Sequence, residues 1–320
     1  MASQPSATSQ SSFSQYSLFP ITRPNLYKFY ELQRDNFWVP KEIDLSNDIV
    51  EWRTILTPND KHFLLHVLAF FAQADGLVLQ NIDCNFSLDI DIPEAKIFYG
   101  IQAGIEAIHW ETYALLIETL VDDEQAKARA FQATQHYPCI KRKAEWISKW
   151  MNREAPFLDR VIAFTCIEGI FFSSSFASIY YYKKRGLMPG LVHSNKFIAR
   201  DEGLHRDFGC ELYRTLSPTP NIAQITKIVR EAVEIESEFV RDSLRVDLIG
   251  INAESMIQYV QFVADHLLTT LGLPKQYNVT NPFDWMEMIS LIGKQNFFEG
   301  RVSDYSKVTG DTGFAMGEDF

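Results

Sequence analysis

Two Glu-x-x-His motifs, Glu106-Ala-Ile-His109 and Glu202-Gly-Leu-His205, lie 96 residues apart in stretches with helical periodicity. Positions i and i+3 share one face of an α-helix, so each pair aims a carboxylate and an imidazole at one point. One match alone means little, since roughly half a match arises by accident in a chain with this many Glu and His residues. Two pairs joined by a lone acid from each of two other helices, however, make the dinuclear carboxylate site of a helical bundle. The chain supplies both acids. Asp75 sits in Leu68-Ala-Phe-Phe-Ala-Gln-Ala-Asp75-Gly-Leu-Val-Leu, and Glu168 in Ile162-Ala-Phe-Thr-Cys-Ile-Glu168-Gly-Ile-Phe-Phe.

A carboxylate buried in such surroundings is costly unless it is paired or bound to a metal. Pairing with Arg or Lys from another helix accounts for Glu168 alone. It accounts less well for Asp75, Glu106 and Glu202 together, because these helices carry few cations in their apolar stretches. Two divalent ions balance all four acids, +4 against −4. Oxygen-rich ligation with the imidazoles of His109 and His205 suits iron or manganese and disfavours a structural zinc. Asp201, four residues before His205, is a candidate partner for a ligand imidazole, the alternative being a solvated face beside Arg200. Tyr113 lies one turn beyond His109 on the same face, as a redox partner of the metals or as core. Phe172 and Phe176 follow Glu168 at i+4 and i+8, as a dry wall around the metals or as ordinary packing.

The net charge of −11 and the lack of a basic run argue against a nucleic-acid surface. Cys84, Cys139, Cys166 and Cys210 are widely spaced, as reduced thiols of a cytoplasmic protein would be. Val161 to Tyr182 is long and apolar enough for a bilayer span, yet Glu168 and three consecutive serines favour the centre of a bundle over a membrane. Helix signals recur: Thr57-Pro-Asn-Asp60 offers an N-cap, a proline at N1 and an acid at N3, and Asp91-Ile-Pro-Glu94 repeats the device. Strand signals are scarce. The chain reads as one all-α domain over 19–300, after a disordered segment 1–18 and before a flexible tail 301–320.

The strings around these residues resemble the small, radical-bearing subunit of class I ribonucleotide reductase, in its eukaryotic and viral branch. They include His66-Val-Leu-Ala-Phe-Phe-Ala-Gln-Ala-Asp75-Gly, Glu106-Ala-Ile-His109-Trp-Glu-Thr-Tyr113, Glu168-Gly-Ile-Phe-Phe-Ser-Ser-Ser-Phe-Ala-Ser-Ile179, Lys183-Lys-Arg-Gly-Leu-Met-Pro-Gly-Leu191 and Arg200-Asp-Glu-Gly-Leu-His205. The resemblance runs from about Phe19 to Tyr305. It implies a ferritin-like fold and two iron ions, or manganese in their place, on Asp75, Glu106, His109, Glu168, Glu202 and His205. It makes Tyr113 the site of a stable tyrosyl radical, formed with O2 and an electron donor and shielded by Phe172, Phe176 and Ile198. It also implies an electron and proton route from Tyr113 through His109, Asp201 and Trp38 to Tyr305.

By the same resemblance the protein is a homodimer whose C-terminal tail, Gly313-Phe-Ala-Met-Gly-Glu-Asp-Phe320, docks a large catalytic subunit. That subunit reduces ribonucleoside diphosphates and is linked to thioredoxin or glutaredoxin. Trp110 departs from the pattern, standing where relatives usually carry a small residue. Two rivals share the ligand set: another oxygen-activating oxidase or desaturase, and an iron-storage bundle. Neither needs Tyr113, Trp38, Tyr305 or an acidic aromatic tail.

Overall fold

The fold, a computed structural model, is described for residues 17–243, 251–283 and 285–286. Its main helices are α1 (Pro24–Asp35), α2 (Ser46–Thr54), α3 (Pro58–Asn81), α4 (Pro93–Leu120), α5 (Pro138–Met151), α6 (Phe157–Arg185), α7 (Pro189–Leu216), α8 (Ile222–Ser243) and α9 (Ala253–Thr270). Two short helices, Glu124–Phe131 and Ala133–His136, link α4 to α5. Helices α3, α4, α6 and α7 enclose the centre, and one continuous hydrophobic cluster joins them to the rest.

The helix ends follow from the local sequence. Thr57 caps α3: its hydroxyl accepts from the Asp60 amide while the Asp60 carboxylate accepts from the Thr57 amide. Such a box contributes about 1 kcal/mol. At Asp91-Ile-Pro-Glu94 the cap differs from expectation. Ile92 is the N-cap residue and provides no side-chain bond. Glu94 turns instead to the start of α1, where it accepts from the Thr22 and Arg23 amides at 2.6 and 2.9 Å. Those amides precede α1 and have no partner within it, so they draw the carboxylate across the fold.

Gly186 closes α6 in the left-handed conformation, with φ of 69°. The next helix begins at Pro189, and Asp48 of α2 caps it by accepting from the Gly190 and Leu191 amides, both at 2.8 Å. Gly190 is required there, because a Cβ would overlap the Asp44 carbonyl.

The long helix α6 is not a regular α-helix. It runs as α over Phe157–Cys166, as a π-turn over Ile167–Phe171, and as α again over Ser173–Arg185. A second π-turn, Ile82–Phe86, follows α3. Periodicity did not anticipate either. Both Pro58–Asp89 and Phe157–Arg185 are apolar and long enough to cross a membrane, but the apolar window of the second is wholly buried inside the protein. Its hydrophobic surface is spent on other helices, which is the core reading of Val161 to Tyr182.

Candidate metal centre

Side chains from three of the central helices, α4, α6 and α7, converge on one buried point. Ligand atoms of Glu106, Glu168, Glu202 and His205 all lie within 4.8 Å of one another. His205 Nδ1 is 2.9 Å from Glu106 Oε1 and 3.3 Å from Glu202 Oε2. His109 Nδ1 is 2.9 Å from Glu202 Oε1 and 3.5 Å from Glu106 Oε2. The two Glu-x-x-His pairs thus interlock, each imidazole facing the carboxylate of the other pair. Asp75 is buried alongside them and acts electrostatically on Glu106, His109 and Glu202.

The protonation pattern is that of a site that needs cations. Burial, then Glu106, push the Asp75 carboxyl well above the carboxylate range. Burial, then Glu202 and Glu106, do the same to Glu168. Glu202 moves the other way: burial pushes it up, but hydrogen bonds with Glu168, His109 and His205 hold it well below. Burial pushes the His205 imidazole down, yet Glu106 and Glu202 outweigh this and raise it to about 9. Both Asp75 oxygens, Glu106 Oε2 and Glu168 Oε2 are buried without a hydrogen-bond partner. Buried acid oxygens left without partners fit a pair of cations, which would take the place of the protons that now neutralise Asp75 and Glu168.

Second partners orient the imidazoles. His109 Nε2 lies 3.2 Å from Asp201 Oδ2, and the Trp38 indole N–H donates to the same oxygen at 2.8 Å. Arg200 donates to the other Asp201 oxygen at 3.1 Å. Burial pushes the Asp201 carboxyl up, but Arg200, His109 and Trp38 outweigh it and hold it below the usual range. The Trp38 ring, 2 % exposed, stacks near His109 with centroids 6.0 Å apart. Asp201 is therefore a buried link between an imidazole and an indole rather than a solvated acid.

Tyr113 is buried, and its hydroxyl has no hydrogen-bond partner. Burial, then Asp75, push the phenol well above its ordinary value, so the ring stays neutral. Phe71 lies parallel to it, at 4.3 Å between centroids and 2° between planes. Phe172 and Phe176 lie against Phe71, with centroids 5.4 and 5.1 Å away. Ile198 is buried on α7. Tyr305 and the segment 313–320 lie outside the described residues, as do residues 1–16.

Three contributors escaped the sequence reading. Phe71 precedes Asp75 by four residues and shares its face, a signal that was available. Gln102, four residues before Glu106, donates to Glu168 Oε1 at 3.0 Å. Gln33 faces His205 Nε2 at 3.1 Å. The buried stripe Leu26, Phe29, Gln33 on α1 marks it out as an inward polar residue. Trp110 packs across to α3, its indole N–H donating to the Ala72 carbonyl at 3.0 Å and its ring lying against Gly76.

A family model for the ribonucleotide reductase small chain matches residues 15–282. This chain belongs to that family. It is 53 % identical over 290 residues to the ribonucleoside-diphosphate reductase small subunit of Dictyostelium discoideum, covering 91 % of this chain and 86 % of that one. It is 48 % identical over 307 residues to the small chain of Variola virus, covering 95 % and 96 %. Among solved structures, the Rnr4 homodimer of Saccharomyces cerevisiae ribonucleotide reductase superposes with a TM-score of 0.77 at 35 % identity, over 91 % of this chain and 89 % of that one. The fold is thus the ferritin-like helical bundle of the reductase small chains. As such a small chain, the protein acts with a large subunit in an oxidoreductase that makes deoxyribonucleotides.

Proposed function

We propose that the centre holds two iron ions on Asp75, Glu106, His109, Glu168, Glu202 and His205, and that Tyr113 carries a stable tyrosyl radical. The observation that carries this reading is the set of buried acid oxygens left without partners beside a buried, unpaired phenol. When bound, the metal pair supplies the one-electron oxidation of Tyr113 by O2, with an external electron donor to reduce the metals. Manganese meets the same oxygen-rich donor set and is the alternative metal.

The chain's own residues do the rest. Phe71, with Phe172 and Phe176 packed against it, keeps water and reductants from the Tyr113 ring. His109, Asp201 and Trp38 form a continuous hydrogen-bonded link leading away from the centre. In it Asp201 accepts from the imidazole and the indole together, so an electron entering through Trp38 toward Tyr113, as the oxidising equivalent moves outward, can be matched by a proton shift at Asp201 Oδ2. Tyr305 is the next station in this reading, and the tail ending in Phe320 docks the large subunit.

A second copy of the chain completes the assembly. The outward face of α4 carries Gly100 and Gly104 with open space around them, and Leu115 stands 44 % exposed nearby. Small and apolar residues on a solvent-facing helix suit close packing against another protomer, and the yeast relative is a homodimer. A cytoplasmic protein is the setting that four free thiols favour.

Electron paramagnetic resonance after adding ferrous iron and O2 to the metal-free protein tests the centre. A tyrosyl signal should appear and should vanish in Tyr113→Phe; its absence in the unaltered protein sinks the radical assignment. Deleting the last eight residues should abolish nucleotide reduction with the large subunit and leave that signal intact. A signal lost on deletion contradicts the docking role.

A further inference from the structure

We propose that Lys143, held by Glu236, is a positioning residue for Glu168: it fixes the Phe171 carbonyl at the end of the π-turn Ile167–Phe171. The inference rests on the reading of Glu168 as a metal ligand.

A π-turn adds one residue to a helical turn and shifts the register of everything after it, so something must decide where it forms. Here the five residues Ile167-Glu-Gly-Ile-Phe171 are all buried, and Gly169 at their centre permits a change of register without fixing where the extra residue sits. The decision falls to the neighbours. Lys143 comes from α5, a helix that brings no residue to the metal centre, and its side chain is fully buried. Its ammonium forms an ion pair with Glu236 Oε2 at 2.6 Å. It donates a hydrogen bond to the Phe171 carbonyl at 2.7 Å. The remaining face sits 3.3 Å from the Phe70 ring centroid and 4.1 Å from that of Phe239.

The other end of the pair reaches the same helix. Glu236, on α8, accepts from the Ser174 hydroxyl, three residues past Phe171. Lys143 and Glu236 therefore grip α6 just where it returns from π to α geometry, one through the backbone and one through a side chain. The grip extends to the radical wall: Phe70 packs edge-on to Phe172 at 5.8 Å, and its neighbour Phe71 lies on Tyr113.

Stability alone does not explain this arrangement. An apolar pair of similar volume is often as stable as a buried ion pair or more so. Burial pushes the Lys143 ammonium down to about 8 despite Glu236, and burial likewise pushes Glu236 up. The attraction thus fails to offset the loss of hydration. What the pair supplies is a donor at one place, opposite a carbonyl that ends the turn carrying Glu168.

Mn(II) titration of the metal-free protein, followed by the resonance of unbound Mn(II), tests this. Lys143→Met combined with Glu236→Gln removes the clamp without stranding a charge. It should weaken Mn(II) binding on the order of 10-fold, the usual effect of losing a group that orients a ligand. With Glu168→Gln already in place, the clamp substitutions should add no further loss, because both act through one ligand. Parent-like affinity in the double variant overturns the proposal, and so do losses that add to that of Glu168→Gln. Should the double variant not fold, the unaltered protein decides: the 15N signal of the Lys143 ammonium should shift on loading Zn(II), and an indifferent signal overturns the clamp. No Mn(II) bound at all by the unaltered protein sinks the metal centre itself, and the clamp with it.

Discussion

Replacing Tyr113 by Phe should separate the stability of the core from its chemistry. The Tyr113 ring is 1 % exposed and lies flat on Phe71, and its hydroxyl is buried without a hydrogen-bond partner. A buried hydroxyl left unpaired costs about 1–3 kcal/mol in lost hydration. Phe keeps the outline of the ring, so the stacking on Phe71 survives the change. The metal-free variant should therefore be more stable than the parent. A gain of about 2 kcal/mol, the middle of that range, raises the calorimetric midpoint of a chain this long by about 3 °C. The same variant should give no tyrosyl signal after ferrous iron and O2. A midpoint that falls would refute the reasoning, since it would mean that the hydroxyl has a stabilising partner. A surviving signal would place the radical on another ring. The expected combination, higher stability with lost chemistry, is characteristic of a group retained for reactivity rather than for packing.

The raised imidazole of His205 makes the metal-free protein sensitive to alkali. Its pKa rises from 6.5 to about 9 on folding, so its stabilisation is complete below pH 6.5 and is lost as pH rises through 9. Calorimetry between those limits should show a loss on the order of 3 kcal/mol, absent once metal replaces the proton. Trp38→Phe keeps a ring beside His109 but removes the donor to Asp201. The tyrosyl signal should form normally, while nucleotide reduction with the large subunit falls about 10–100-fold; unchanged turnover would remove Trp38 from the route. Gly190→Ala presses a Cβ into the Asp44 backbone and disturbs the Asp48 cap of α7, so urea unfolding should show a loss of about 1–3 kcal/mol. A loss below a few tenths would mean that α2 and α7 separate easily.

How much of this was legible in the sequence depends on what kind of signal each feature leaves. The helices around Thr57 and Pro93, and the meeting of Glu106, Glu168, Glu202 and the two histidines, rest on i, i+3 spacing and on acids in apolar strings. Both are properties of the local chain. The π-turn in α6 left no such trace: Val161 to Tyr182 is apolar on every side, so no hydrophobic stripe exists whose phase could reveal an extra residue. Its register comes from Lys143 and Glu236, 25 residues before and 68 residues after Glu168 (168 − 143 and 236 − 168). Glu94 is a similar case. Its position suggests a cap on its own helix, but the stronger attraction is an unpaired pair of amides 71 and 72 residues away. Phe71 was legible in principle, four residues from Asp75, but a phenylalanine in an apolar helix is not conspicuous until its partner ring is seen.

Buried charge also sets what the metals must do for the fold. Asp75 and Glu168 are pushed toward protonation, Glu202 toward ionisation, and His109 and His205 toward the charged form. In the metal-free protein, protons hold the cluster together. Metal must displace them, so binding releases protons and tightens as pH rises, while the metal-free fold weakens over the same range. The two trends have opposite signs and cross, which makes the stabilisation on loading a function of pH. At a free metal concentration 100-fold above the dissociation constant it is about 2.7 kcal/mol. At a fixed free metal concentration it should grow from pH 6.5 to pH 9. A thermal shift on loading that shrinks over that interval would show that protons do not occupy the metal positions, and that the acids of the cluster are neutralised in some other way.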